Sequence, residues 1–144
     1  LRLGYPLIFL RVPAALAYRD LATRVVSTAC KIASQGEDEG PDSEFVNELV
    51  SAVGEAFNNA VIHAYKDGTD GRDVAISVVT HDDAIEVSIQ DHGASFDYAA
   101  VPDPDLSSLP ESGMGLFIIR SFVDEVSYEP GTPNTLRMRK RLAT

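Results

Sequence analysis

Three polar residues recur at intervals of four in one helix-like stretch: Glu55, Asn59 and His63. Side chains four residues apart lie along one stripe of an α-helix. A carboxylate and a carboxamide held one turn apart at the edge of a buried surface suit a divalent metal ion and a water molecule. For a single such stripe, however, a solvated polar edge without chemistry is the more common explanation.

The stripe lies in the segment Glu48–Tyr65, whose apolar residues fill one broad arc of a helical wheel. The arc contains Leu49, Val50, Val53, Ala56, Phe57, Ala60, Val61 and Ala64. Because the polar stripe borders this arc, we expect it at the rim of the core. Asp42 or Ser43 is expected to cap the start of the helix.

Two motifs with glycine follow downstream. Asp91-x-Gly93 comes after a strand-like alternation, and Gly113 and Gly115 open an apolar helix-like segment. Glycine lets a backbone approach a ligand closely, and free N–H groups at a helix N-terminus favour anions such as phosphate. Each motif alone is also typical of an ordinary turn or of a loop-to-helix junction.

The remaining patterns predict the element order β-α-α-β-β-α-β-β. Predicted strands are Leu7–Val12, Val74–Val79, Ile85–Gln90, Val123–Tyr128 and Thr135–Leu142, and predicted helices are Ala14–Ser34, a second running to about Tyr65, and Gly113–Phe122. Tyr98–Ser112, rich in proline, aspartate and serine, predicts a long loop of the kind that often forms a lid. The order predicts an α/β fold: a two-layer sandwich with a mixed, mostly antiparallel sheet and three helices on one face. We expect a single domain over residues 1–144.

The chain is acidic, with a formal net charge of −10. This charge disfavours direct binding to nucleic acid, and it means that a bound nucleotide would need Mg²⁺ and backbone donors. We expect Cys30, the single cysteine, to be a small buried residue. The lack of a disulfide framework suits a reducing cytosol. No apolar run is long enough to span a membrane. The first residue is leucine, which is consistent with a piece of a longer protein.

In order and approximate spacing, the motifs resemble the adenine-nucleotide site of the superfamily that includes histidine kinases, gyrase and heat-shock chaperone ATPases. The segments EAFNNAVIHAY, DHGASFD and SGMGLFIIRSFVDEV resemble most closely the anti-sigma factor serine/threonine kinases of bacteria. The resemblance covers about residues 7–142, nearly the whole chain. It implies a Bergerat-type ATP-binding fold, with ATP and Mg²⁺ bound between the helices, the sheet and a lid.

The resemblance also implies a role for each matching residue. Glu55 matches the family's general base, and Asn59 matches its magnesium ligand. Asp91 matches the carboxylate that accepts a hydrogen bond from the exocyclic amine of adenine, and Gly93 lets the backbone approach that base.

Four further residues match less sharply. Gly113 and Gly115 correspond to glycines beside the nucleotide phosphates, and Thr135 falls where the family often has a threonine near the adenine. His63 is common in the family, and a hydrogen bond within the fold explains it equally well.

The resemblance further implies partner switching in the cytoplasm. The protein would hold a sigma factor, an anti-sigma factor antagonist would displace it, and phosphorylation of a serine on the antagonist would end the displacement. A homodimer is implied as well.

Three alternatives remain open. The first is a non-catalytic, ATP-binding regulatory module of the same fold. The second is the ATP-binding half of a histidine kinase, which the absence of histidine from Ala14–Ser34 disfavours. The third is a metal-dependent hydrolase, which is disfavoured because His63, His81 and His92 lack ligand spacing.

The first alternative gains weight from the predicted lid, which contains no lysine or arginine, and from the lack of a second glycine pair before Gly113. Glu111, just before the glycine motif, is unfavourable to phosphates. The phosphate charge would have to be met by Mg²⁺, backbone N–H groups, Arg120 or a residue not yet placed.

Overall fold

The computed structural model describes residues 6–34, 40–64, 72–98 and 114–142, except for the side chains of residues 63 and 64. Within these ranges the elements follow one another in the predicted order. The strands are β1 (Leu7–Pro13), β2 (Asp73–Thr80), β3 (Ala84–Asp91), β4 (Glu125–Glu129) and β5 (Asn134–Arg141), and the helices are α1 (Arg19–Ala33), α2 (Ser43–Asn59) and α3 (Met114–Phe122).

The strands form one sheet in the order β1-β2-β3-β5-β4, and every neighbouring pair is antiparallel. β2 and β3 form an antiparallel hairpin, with Val78 opposite Val87. Asn134 begins β5 opposite Asp91, the last residue of β3. The predicted α/β class and the mostly antiparallel sheet are therefore confirmed.

The helices cover one face of the sheet and bury its alternate residues. Ile85 and Val87 of β3 face this core, and both are fully buried. On α2 the predicted apolar arc is the buried face, with Leu49, Val53 and Phe57 fully buried. Packing of this arc holds the polar border of α2 at the rim of the core. In the described part of the chain, no helix combines the length and apolarity needed to cross a membrane.

Polar contacts fix the ends of two helices. The Asp42 side chain accepts a hydrogen bond from Phe45 N at 2.8 Å, so Asp42 is the cap of α2. Lys140 Nζ of β5 donates to Phe122 O at 2.7 Å and to Glu48 Oε2 at 2.9 Å. A cation is favourable at a helix C-terminus, so Lys140 joins the end of α3 to α2 and the sheet.

Two helix ends differ from the sequence prediction. The first helix begins with a 3₁₀ turn at Leu16–Tyr18 and becomes α-helical at Arg19. A helix start at Ala14 is wrong because β1 extends to Pro13 and the first helical turn begins only at Leu16. The second helix ends at Asn59 and continues as a π-helical turn, Ala60–Ala64, that contacts β3. Such turns often occur at functional sites.

The other face of the sheet is left open by the three helices. Its centre carries ion pairs: Glu86 lies 3.3 Å from Arg137 Nε and 3.6 Å from Arg139 Nη1. At the β1 edge the register places Leu7 and Phe9 on this same face, 61% and 54% exposed. The open face therefore combines a paired charged centre with an apolar edge.

Candidate nucleotide-binding site

The polar stripe of α2 meets the start of α3. Glu55 and Asn59 lie one turn apart and are both half-buried, and Gly115 of α3 lies directly against them. A methyl carbon built on Gly115 would be 3.1 Å from Asn59 Oδ1 and 3.4 Å from Glu55 Oε2. The structure thus brings together the predicted base, the predicted metal ligand and one predicted phosphate-binding glycine, with little room for a side chain between them.

The described part of the fold does not use these two polar groups. Within the described ranges, neither the Glu55 carboxylate nor the Asn59 carboxamide makes a hydrogen bond or an ion pair. Polar groups withdrawn from water are normally hydrogen-bonded, so both are available to a ligand. Mg²⁺ takes only one or two protein oxygens beside phosphates and water, and Asn59 Oδ1 fits that role. No three His, Cys, Asp or Glu side chains of the described residues form a metal-binding group.

Asp91 presents one fixed and one free carboxylate oxygen. Its Oδ1 accepts hydrogen bonds from Gly93 N and from Asn134 Nδ2, each at 2.9 Å. Its Oδ2 accepts none from the residues that the structure describes. The first pair of bonds closes the turn after β3, and Oδ2 remains as an acceptor for a ligand.

Thr135 does not lie with the other predicted site residues. It pairs with Gln90, whose Nε2 donates to Thr135 Oγ1 at 3.4 Å. Successive strand residues point to opposite faces of a sheet, so Asp91 and Asn134 share the helix-covered face while Thr135 lies on the open one. Sequence reasoning missed Asn134. The signal that could have found it is the strand boundary, because starting the strand one residue earlier sets Asn134 opposite Asp91.

Several predicted features fall outside the described residues: Gly113, the side chain of His63 and the predicted lid beyond Tyr98. Arg120, which the sequence leaves open as a phosphate ligand, is described. Its Nε donates to Tyr98 Oη at 3.1 Å, and its guanidinium lies 4.7 Å from the centroid of the Tyr98 ring. Arg120 therefore contacts the first residue of the predicted lid.

On the α1 side of α2, Arg19 lies against Gly54. Arg19 Nε donates to Gly54 O at 3.4 Å, and a methyl carbon built on Gly54 would collide with Arg19 Nη2. The guanidinium thus occupies the space of a side chain at position 54. Asn58, one turn further along the same side, is half-buried rather than exposed as its helical phase suggests. Its Oδ1 is buried without a hydrogen-bond partner among the described residues.

The chain matches one known protein family over most of its length. The family described as "Histidine kinase-like ATPase domain" matches residues 18–140. That span is more than half of the chain and includes every predicted site residue. This protein therefore belongs to the histidine kinase-like ATPase domain family.

Within that class the chain is similar to bacterial proteins named serine-protein kinase RsbW. It is 33% identical over 141 residues to the protein from Staphylococcus epidermidis, covering 92% of this chain and 85% of the relative. It is 35% identical over 143 residues to the one from Staphylococcus aureus, with the same coverage. The family resemblance inferred from the motifs is confirmed by these relatives.

A solved structure supports the fold. The histidine kinase domain of the blue-light activated histidine kinase from Erythrobacter litoralis EL346 is similar with a TM-score of 0.54 at 18% sequence identity. The likeness covers 91% of this chain and 62% of that one. At this identity the likeness is one of fold alone.

Proposed function

We propose that this protein is an ATP-dependent protein serine/threonine kinase and anti-sigma factor, with residues 1–144 forming one ATP-binding domain. The observation that carries the proposal is the meeting of Glu55, Asn59 and Gly115 where α2 contacts α3. Its base and amide are half-buried and unused by the described part of the fold. The names of the relatives, serine-protein kinases, support the reaction class.

Nucleotide binding uses both ends of the site. Asp91 Oδ2 accepts a hydrogen bond from the exocyclic amine of adenine, and Gly93 allows the backbone to approach the base. Guanine presents a carbonyl at that position, so a carboxylate acceptor selects adenine. Backbone N–H groups at the start of α3, beside Gly113 and Gly115, bind phosphate oxygens.

Asn59 Oδ1 is the protein ligand of Mg²⁺. When bound, the ion offsets phosphate charge that the acidic chain would otherwise repel. A neutral amide oxygen suits this position because it binds the cation without adding negative charge next to the phosphates.

Glu55 acts as the general base in phosphate transfer. It accepts the proton of a serine hydroxyl on the antagonist while the serine oxygen bonds to the γ-phosphorus. The bond from that phosphorus to the β–γ bridging oxygen breaks, and its electron pair leaves with ADP. A positioned base of this kind contributes about 10²–10⁴-fold in rate.

The partners we propose are a sigma factor and an anti-sigma factor antagonist, both in the cytoplasm. The start of α1 is a suitable surface, because Leu16 and Leu21 are exposed beside Arg19. The Nη atoms of Arg19 make no hydrogen bond within the described ranges, which favours a partner with an acidic side chain. Leu7 and Phe9 on the open face are a candidate homodimer contact. The net charge of −10 argues against direct binding to nucleic acid.

Calorimetry tests the nucleotide site. ATP, ADP and GTP are titrated into the wild type and into Asp91→Asn, each with and without Mg²⁺. We expect adenine-selective, Mg²⁺-dependent binding that weakens in the variant. Equal affinity for ATP and GTP in the wild type would contradict the proposed site.

A second candidate is a non-catalytic module in which ATP only sets the conformation of a protein-binding surface. The absence of lysine and arginine from the predicted lid favours it. Incubation with radiolabelled Mg-ATP and the antagonist distinguishes the two. The kinase transfers label to a serine of the antagonist, whereas the module binds the nucleotide and leaves the antagonist unlabelled.

A further inference from the structure

Asn134, the first residue of β5, is 0% exposed and uses its whole hydrogen-bonding capacity. Its Nδ2 donates to Asp91 Oδ1 and to Gly93 O, both at 2.9 Å. Its Oδ1 accepts from Gly131 N at 2.9 Å and from Ser95 Oγ. A carboxamide has two donor hydrogens and two acceptor sites, so none of them is left for a ligand. Asn134 joins three pieces of chain: the end of β3, the segment after it and the turn between β4 and β5.

These bonds decide how Asp91 is presented. Both donors to Asp91, the Asn134 carboxamide and the Gly93 amide, bind the same oxygen, Oδ1. A partial rotation of the carboxylate about its Cβ–Cγ bond would break both bonds at once, so they fix the plane of the group. The oxygen outside these bonds, Oδ2, is thereby held in one position, where it is available to a ligand.

We propose that Asn134 is a positioning residue that sets the selectivity of the site for the adenine amine. It acts through Asp91, by fixing the orientation of the carboxylate that faces the base, and does not itself touch the nucleotide. The inference rests on the proposed function in one respect, namely that Asp91 reads the exocyclic amine. In this proposal the β5 residue that supports adenine recognition is Asn134 and not Thr135.

Thr135 is a matched control. It is adjacent in sequence and nearly as buried, at 6% exposed. It lies on the opposite face and contacts Gln90 rather than Asp91. A substitution at Thr135 therefore reports the general cost of altering buried polar residues at this end of β5.

The experiment compares two nucleotides that differ only in the group that Asp91 would read. ATP and purine riboside 5′-triphosphate, which lacks the 6-amino group, are titrated calorimetrically with Mg²⁺. The proteins are the wild type, Asn134→Ala, Thr135→Val, Asp91→Asn and the Asp91→Asn/Asn134→Ala double variant. The quantity measured is the affinity for ATP divided by the affinity for the analogue.

In the wild type the ratio should be about tenfold or more, the size of one hydrogen bond to a charged group. Asn134→Ala should reduce it to less than about threefold on the same basis, while Thr135→Val leaves it unchanged. In the Asp91→Asn background, adding Asn134→Ala should have no further effect on the ratio, because Asn134 acts through Asp91.

Failure of the inference and failure of the proposed function look different. A ratio near one in the wild type would overturn both, because Asp91 would then not read the amine. A wild-type ratio of tenfold that persists in Asn134→Ala would overturn the inference alone, even if both affinities fell together. If Asn134→Ala shows no cooperative unfolding transition, Asn134→Ser is used instead, since its shorter side chain also cannot span the distance to Asp91 Oδ1. The affinity ratios of the wild type and of Asn134→Ser then distinguish the same outcomes.

Discussion

Replacing Gly115 by alanine should separate the geometry of the site from the stability of the fold. Gly115 lies in the first turn of α3, and its backbone is not in a conformation that favours glycine. Alanine is the better helix former, by up to about 1 kcal/mol in a helix interior and less in a first turn. The free energy of unfolding should therefore stay constant or rise slightly.

The added methyl group acts on the site instead. It would lie 3.1 Å from Asn59 Oδ1 and 3.2 Å from Asn59 Nδ2, closer than the roughly 3.5–4.0 Å of an optimal non-bonded contact. The carboxamide must therefore shift by about 0.3–0.5 Å to restore contact distance. A misplacement of about 1 Å can cost roughly 10²-fold in rate. If the logarithm of the rate falls in proportion to the displacement, a shift of about 0.3–0.5 Å lowers the rate of phosphate transfer by about four- to tenfold.

The assay is phosphate transfer from radiolabelled Mg-ATP to the serine of the antagonist, with thermal unfolding measured on the same samples. Ser121→Ala is the control, because Ser121 is exposed at the other end of α3 and, among the described residues, its hydroxyl bonds only to Phe117 O. Full activity in Gly115→Ala would refute the reasoning. So would a large fall in the midpoint of unfolding, since the methyl group would then act on the fold rather than on the site.

Four further predictions test the base, the helix ends and the cysteine. Glu55→Gln should lower phosphate transfer by about 10²–10⁴-fold, because an amide cannot accept the proton; an equal loss of Mg-ATP affinity in calorimetry would contradict this role. Asp42→Ala should lower the free energy of unfolding by about 1 kcal/mol in a urea titration, since the first turn of α2 loses its acceptor. Lys140→Met should lower it by about 1–3 kcal/mol in the same assay, because Glu48 and the last turn of α3 lose their donor. Burial raises the pKa of the Cys30 thiol from 9.0 to about 11. The unfolded chain therefore loses this proton first, so that stability should fall as the pH rises from 9.0 towards 11, and the native thiol should resist alkylation at neutral pH until the protein is unfolded.

Helix periodicity predicted where Glu55 and Asn59 lie in the site. The apolar arc of α2 forces the intervening polar positions to the rim of the core, so the places of Glu55 and Asn59 follow from a period of 3.6 residues. The contact of Gly115 with both of them depends on how α3 packs against α2. That packing involves residues about sixty positions apart in the sequence, and no local pattern encodes it.

The part of the site around Asp91 and the start of β5 was harder to predict from the sequence. Thr135 was expected near the base from the family resemblance, and Asn134 was left out of the predicted strand, which began one residue late. Successive strand residues point to opposite faces of a sheet, so Asn134 lies on the same face as Asp91 and Thr135 lies on the open face. The register with Asp91 is a property of the paired strands and not of either segment alone.

The contact between Arg19 and Gly54 links two positions that are 35 residues apart. A relative with alanine or serine at the position of Gly54 must either redirect the long side chain at the position of Arg19 or have a shorter residue there. The two positions should therefore covary among homologues. Grafting either residue into a relative should succeed only when both are exchanged together.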